Sequence, residues 1–180
     1  MSKFSVPTKA DVSEANQAIF DNLNNALGFV PNLYASMAHS ENALGSFLTF
    51  SGAATSFSKK EKEVIDLAIS QVNGCKYCQS AHSAIAKMNG FTDEHILELR
   101  QGVASWDSKL DALAKISKAI AENKGYVNDS LKQGFYDAGY NDGSLADLVM
   151  AVGAITITNF FHNLTGVAID FPVAPELETA

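Results

Sequence analysis

The chain has 180 residues, 47% apolar and 18% charged, a balance that builds a folded core and excludes a disordered chain. Thirteen basic residues against twenty acidic ones give a formal charge of -7, with Arg100 the only arginine, which argues against a nucleic-acid partner. Residues 1–12 hold no apolar block of the kind a secretory leader needs, and the longest apolar run, residues 148–157, is about half of what a bilayer span requires. A cytoplasmic protein with no membrane partner is expected.

Helical periodicity dominates and strand-like alternation is hard to find, so the expected fold is all-α, with about eight or nine helices in a single domain over residues 1–180. Val12, Ala15, Ile19 and Leu23 recur at helical spacing within residues 8–27, and Gly28 stands at the C-terminal cap. Pro31 opens a short helix through Ala38, and Ser40 or Asn42 caps another that carries Leu44, Phe47 and Leu48 to Ala54. Ser58 and Glu61 form a capping box ahead of Val64, Ile65, Ala68, Ile69 and Val72, and Asn73 and Gly74 stop that helix.

A new helix starts at Cys75 and runs to Met88, and Thr92, Asp93 and Glu94 start a short one to Arg100. Further helices are predicted over residues 107–123, 127–138 and 144–164. The cysteine helix is expected to pack between the 58–72 and 144–164 helices, whose apolar faces are broadest. The tail from Asp170, with Pro172 and Pro175, reads as extended, and either loosely held or clasping a neighbouring subunit. Residues 63–68 with His82 downstream faintly resemble residues 145–150 with His162 downstream, too weakly to define a repeat.

The chemistry concentrates where the only two cysteines lie, three residues apart. Cys75 and Cys78 follow a helix-stopping glycine, so their sulfurs fall in a first turn, where free N–H groups and the macrodipole favour a thiolate. A spacing of three puts both on one face, close enough to cycle between dithiol and disulfide. His82, four residues after Cys78, sits one turn further along that face, where an imidazole can accept a thiol proton or pair with the thiolate. In a reducing compartment a structural disulfide across so short a loop would stabilise little, which leaves redox work or metal binding.

Glu63, Cys75-x-x-Cys78 and His82 match in type and spacing the active-site signature of the alkylhydroperoxidase D family, within the carboxymuconolactone decarboxylase superfamily. The resemblance covers residues 58–100, and Gly28-Phe29-Val30-Pro31-Asn32 resembles the peroxidase-related branch. It implies a thiol-dependent hydroperoxide reductase in which Cys78 attacks the peroxide, Cys75 resolves the sulfenic acid, and Glu63 and His82 belong to a proton relay. It also implies no bound cofactor or metal, a dithiol reductant such as a lipoyl-bearing protein, and a homo-oligomer built as a dimer, trimer or hexamer. Tyr77 stands where the best-known members have a histidine, so a relay here runs through its phenol or water, or is shorter. Burial of Glu63 between two helices would raise its pKa, with His82 acting as a base on the other side of the sulfurs.

Other readings stand beside this one. The cysteines can be small core hydrophobes, and Cys-x-x-Cys-x-x-x-His supplies three zinc ligands, with a fourth to come from His39, His95 or His162. A redox-sensing or zinc-binding helical module without turnover is the non-enzyme alternative. Glu63 alone reads as a solvated helix residue, Tyr77 as a packing aromatic, and the remaining histidines and Trp106 as structural.

Overall fold

The computed structural model describes residues 4–177; residues 1–3, part of the N-terminal stretch read above, and 178–180, the end of the tail, lie outside them. Nine α-helices and no strands occur among the described residues: α1 (Glu14–Leu27), α2 (Asn32–Met37), α3 (Ala43–Ser51), α4 (Lys59–Val72), α5 (Lys76–Met88), α6 (Asp93–Gln101), α7 (Ser108–Glu122), α8 (Asp129–Asp137) and α9 (Asp142–Thr165). The all-helical expectation holds, and most helices begin at the residue whose side chain caps them: Ser58, Cys75, Thr92, Asp107 and Asn128 each accept a first-turn N–H.

The cysteine helix α5 does contact both α4 and α9, but the element at the centre is α4, which packs against α5, α6, α7 and α9. The reason lies in its sequence. Val64, Ile65, Leu67, Ala68 and Ile69 are all fully buried, so one stretch of α4 is apolar around most of its circumference and must be covered on several sides. Each larger side chain so buried contributes about 1.5–3 kcal/mol. In α1 the buried face is Asn16 and Phe20, with Ala15 left exposed. Apolar spacing missed this because Asn16 is buried for its amide, which donates to the Ala38 and Ser40 carbonyls at 3.1 and 3.0 Å.

The start of α4 is pinned by Glu61, whose carboxylate accepts from the Ser58 N–H and hydroxyl and from Tyr140 Oη at 2.8 Å and pairs with Lys109 at 3.0 Å. Burial raises its pKa, yet the Ser58, Lys109 and Tyr140 contacts outweigh that and hold it down to about 2. A depressed carboxylate stabilises the fold above its unfolded pKa and loses that contribution as pH falls through the folded value. Glu61→Gln is therefore expected to cost on the order of 2 kcal/mol at pH 7 and little at pH 2, read by denaturant unfolding at the two pH values.

Helix α9 is long and apolar enough to meet the length and composition of a membrane span, which the run-length reading of residues 148–157 had understated. One face of it packs into the core: Leu148, Ile155, Thr158 and Asn159 are buried, and Asn159 donates to Ser70 Oγ at 3.1 Å. The tail is extended, and its residues 170–176 are held on their own chain. Asp170 accepts from the Asn32 N–H at 2.8 Å and Tyr77 Oη at 2.6 Å, Ala174 N–H donates to Ser80 Oγ at 3.0 Å, and Arg100 donates to the Pro175 carbonyl at 2.8 Å. Glu176 pairs with Lys76. The tail thus straps α5 of its own chain, because buried Arg100 and the first turns of α5 offer donors and acceptors that the tail backbone satisfies.

Candidate active site

Gly74, at φ +65°, makes the left-handed turn that folds α5 back along α4, and the Cys75 N–H closes it on the Ser70 carbonyl at 3.0 Å. Cys75 is then the N-cap of α5 and its Sγ accepts the Cys78 N–H at 3.2 Å. Cys78 donates through its thiol to Thr158 Oγ1 of α9 at 3.8 Å. Both cysteines are free thiols and nearly inaccessible, at 0% and 2% exposure.

The two sulfurs titrate as a pair. Hydrogen bonding from Cys78 lowers the Cys75 pKa, burial opposes this, and the Cys78 N–H and the charge of His82 add to the lowering. Cys78 is pushed well above the ordinary thiol value by the same hydrogen bond, by burial and by the Cys75 charge. One ionisation of the dithiol is thus favoured and the second disfavoured, with the first thiolate held at the helix N-terminus. Access runs the other way. A cavity of about 740 Å³ lies between α1–α3, α4, α5, α9 and the tail, and Cys78 is on its wall whereas Cys75 is not. Phe29, Tyr34, Phe47, Phe50, Ile155 and Phe171 give the cavity its apolar lining.

Glu63 and His82 do not flank the sulfurs from opposite sides. They meet each other: His82 Nδ1 lies 2.9 Å from Glu63 Oε2 and 3.5 Å from Asp66 Oδ2. Burial disfavours a charged His82, but the Asp66 and Glu63 carboxylates outweigh it and raise the pKa to about 9. The two carboxylates thus favour the protonated imidazole through neutrality. Burial raises Asp66 to about 6, moderated by His82.

Tyr77 reaches neither Glu63 nor His82. Its hydroxyl donates to Asp170 and accepts the Leu33 N–H at 3.3 Å, so it ties the tail and α2 to the cysteine helix. The zinc set drawn from Cys75, Cys78 and His82 does not assemble: among the described residues the side chains within coordination distance of one another are Glu63, Asp66 and His82. His39 bonds to Ser5, His95 stacks on Trp106 at 3.8 Å between ring centres, and His162 packs against Tyr77. Sequence reasoning missed Asp66, Thr158 and the cavity. Asp66 alone carried a signal, since it follows Glu63 by three residues on a helix and must share its face.

These features define an all-helical protein with a buried cysteine pair, of which Cys78 lies at the wall of an apolar cavity that a carboxylate–imidazole cluster also lines. Residues 41–122, which contain every site residue of α4 and α5, match the carboxymuconolactone decarboxylase family. Among curated proteins none matches the sequence. The fold is AhpD-like. A peroxidase-related protein from Ralstonia eutropha JMP134, described as an alkylhydroperoxidase AhpD core, superposes with TM-score 0.84 at 20% identity over 94% of this chain and 92% of that one. A peroxidase-related protein from Silicibacter sp. TM1040 gives 0.81 at 21% identity over 92% and 91%. The debrominase Bmp8 in complex with 2,3,4-tribromopyrrole gives 0.79 at 14% identity over 94% and 92%.

Proposed function

We propose that the protein is a cysteine-dependent hydroperoxide reductase. The observation that carries this reading is the buried dithiol that meets an apolar cavity through Cys78, on whose wall Glu63, Asp66 and His82 cluster. In the proposed cycle the pair passes its negative charge to Cys78, whose thiolate attacks the outer oxygen of the hydroperoxide. An S–O bond forms, the O–O bond breaks, and the leaving alkoxide takes a proton from His82. Cys75 then attacks the sulfenic sulfur, closing the disulfide as hydroxide leaves and is protonated to water. Two thiols and the hydroperoxide thus become disulfide, alcohol and water, and an external dithiol, for which a lipoyl-bearing protein is the proposed form, restores the pair.

Tyr77 has a supporting part in this scheme. Tyr77→Phe is expected to change the rate of Cys78 oxidation by no more than a few-fold, while it frees Asp170 and loosens the tail by about 1–3 kcal/mol, read as faster amide exchange at Ala174. Steady-state hydroperoxide consumption with a panel of dithiols tests the function, and absence of turnover with every dithiol would leave the redox-sensing module as the better account.

A second reading rests on the size of the cavity, which exceeds what a small peroxide needs, and on the debrominase Bmp8 having the same fold. The same dithiol would remove halogen from an aromatic ring: a thiolate takes the halogen, the ring carbon takes a proton, and the second sulfur displaces halide to close the disulfide. Halide release coupled to dithiol oxidation distinguishes the two.

We also propose a cytoplasmic setting, where reducing conditions would return the pair to its dithiol form, and a homo-oligomer. Met150, Ile157, Phe160 and Leu164 leave an exposed apolar stripe along α9, a surface that a second copy would cover. Light scattering at micromolar concentration is expected to give at least a dimer mass, and a monomer would count against it.

A further inference from the structure

Resting on the proposed chemistry of this site, a third member of the proton relay emerges from the geometry of α4. Asp66 lies one turn beyond Glu63, so both carboxylates face the same edge of His82, at 3.5 and 2.9 Å from Nδ1. Two carboxylates converging on one imidazole is more negative charge than an imidazolium needs, in a place where burial makes an unmatched charge costly. Asp66 has no other acceptor role among the described residues, while its near neighbour Glu61 is fully occupied at the start of the helix. Asp66 and His82 both line the cavity that Cys78 meets.

We propose that Asp66 is a positioning residue of the relay: with Glu63 it fixes the Nδ1 edge of His82, leaving Nε2 free for the cavity, and it provides a second place for a proton beside the dithiol. The stoichiometry of the cycle makes such a place useful. Oxidation of the dithiol releases two thiol protons, and two leaving groups, alkoxide and hydroxide, each take one up. His82 can hand over one proton, and Asp66 can hold the next until the sulfenic acid is resolved. The raised pKa values of both groups agree with a shared charge and proton inventory. The other charged or titratable groups around them are Lys62 and Glu63 on α4, Cys75 and Cys78 on α5, Tyr34 on α2 and Asp147 on α9, the last engaged by the Ser56 N–H at 2.6 Å.

The test uses the full chain with Asp66→Asn, with two readouts: the His82 imidazole titration by NMR, and single-turnover oxidation of Cys78 by cumene hydroperoxide across pH. Removing one of the two anions is expected to lower the His82 titration by about one pH unit, shift the pH–rate profile to lower pH by a similar amount, and slow oxidation at pH 9 by roughly five-fold while leaving the rate at pH 7 near its plateau. An unchanged His82 titration and an unshifted profile, even with a slower rate, would reduce Asp66 to a structural residue and overturn the proposal. If Asp66→Asn does not fold, the carboxyl carbon titration of Asp66 in the unaltered protein decides. A step coupled to the His82 titration is expected, and independent titration would overturn the proposal. Absence of Cys78 oxidation by hydroperoxide in the unaltered protein would sink the reductase function, while the two titrations would still judge Asp66.

Discussion

Cys78→Ser is expected to abolish hydroperoxide turnover, a loss of at least about a thousand-fold, whereas Cys75→Ser should permit one round of oxidation that stops at a trappable sulfenic acid on Cys78. Acidity and access point to different sulfurs, which gives this pair of variants its force. Cys75 is the more acidic thiol, because it caps α5 and receives the Cys78 hydrogen bonds. It is also fully buried and absent from the cavity wall, so a peroxide arriving through the cavity meets Cys78. For Cys78 to attack, its thiol proton must turn from the Thr158 hydroxyl and pass to Cys75 Sγ, which already accepts the Cys78 N–H. Mass spectrometry of the dimedone-trapped protein assigns the sulfur. A sulfenic acid on Cys75 in the Cys78→Ser variant would show that acidity outweighs access and would exchange the two roles.

Glu63→Gln and His82→Asn are each expected to slow reaction of the dithiol with hydroperoxide by roughly ten- to a thousand-fold, the usual weight of a positioned proton donor. They should not act alike with pH. Glu63→Gln removes one of the two anions that hold the proton on His82, so its alkaline limb should move to lower pH, while His82→Asn should erase that limb. In the unaltered protein the limb should follow the imidazolium, with the rate holding through neutrality and falling as pH rises through about 9. Stability carries the same sign: a histidine raised above its unfolded pKa contributes fully below about 6.5 and loses that contribution as pH rises through the folded value. Stopped-flow oxidation and thermal unfolding between pH 6 and pH 10 check both. Unchanged thiol reactivity and pH dependence in both variants would leave the cysteines as the only reacting groups.

By itself the sequence determined what lies within a turn or two of a residue. Ser58 with Glu61, Gly74 before Cys75, and Thr92 with the acidic residues after it specify where α4, α5 and α6 begin, because caps and left-handed turns are satisfied by near neighbours. For the same reason the placement of both sulfurs at a helix start, with His82 one turn beyond Cys78, was legible. The roles of these groups depended on partners far along the chain. His82 meets a carboxylate 19 residues away, the Cys78 thiol a threonine 80 away, and Tyr77 an aspartate 93 away. Only the packing of α5 and α9 on α4 and the docking of the tail on α5 brought them together. That packing set Glu63 against His82 on one side of the dithiol, added Asp66 to them, turned the Tyr77 hydroxyl to the tail, and exposed Cys78 to the cavity in preference to Cys75. Burial and the charges of neighbours fix the protonation of such groups, and both are properties of the assembled core.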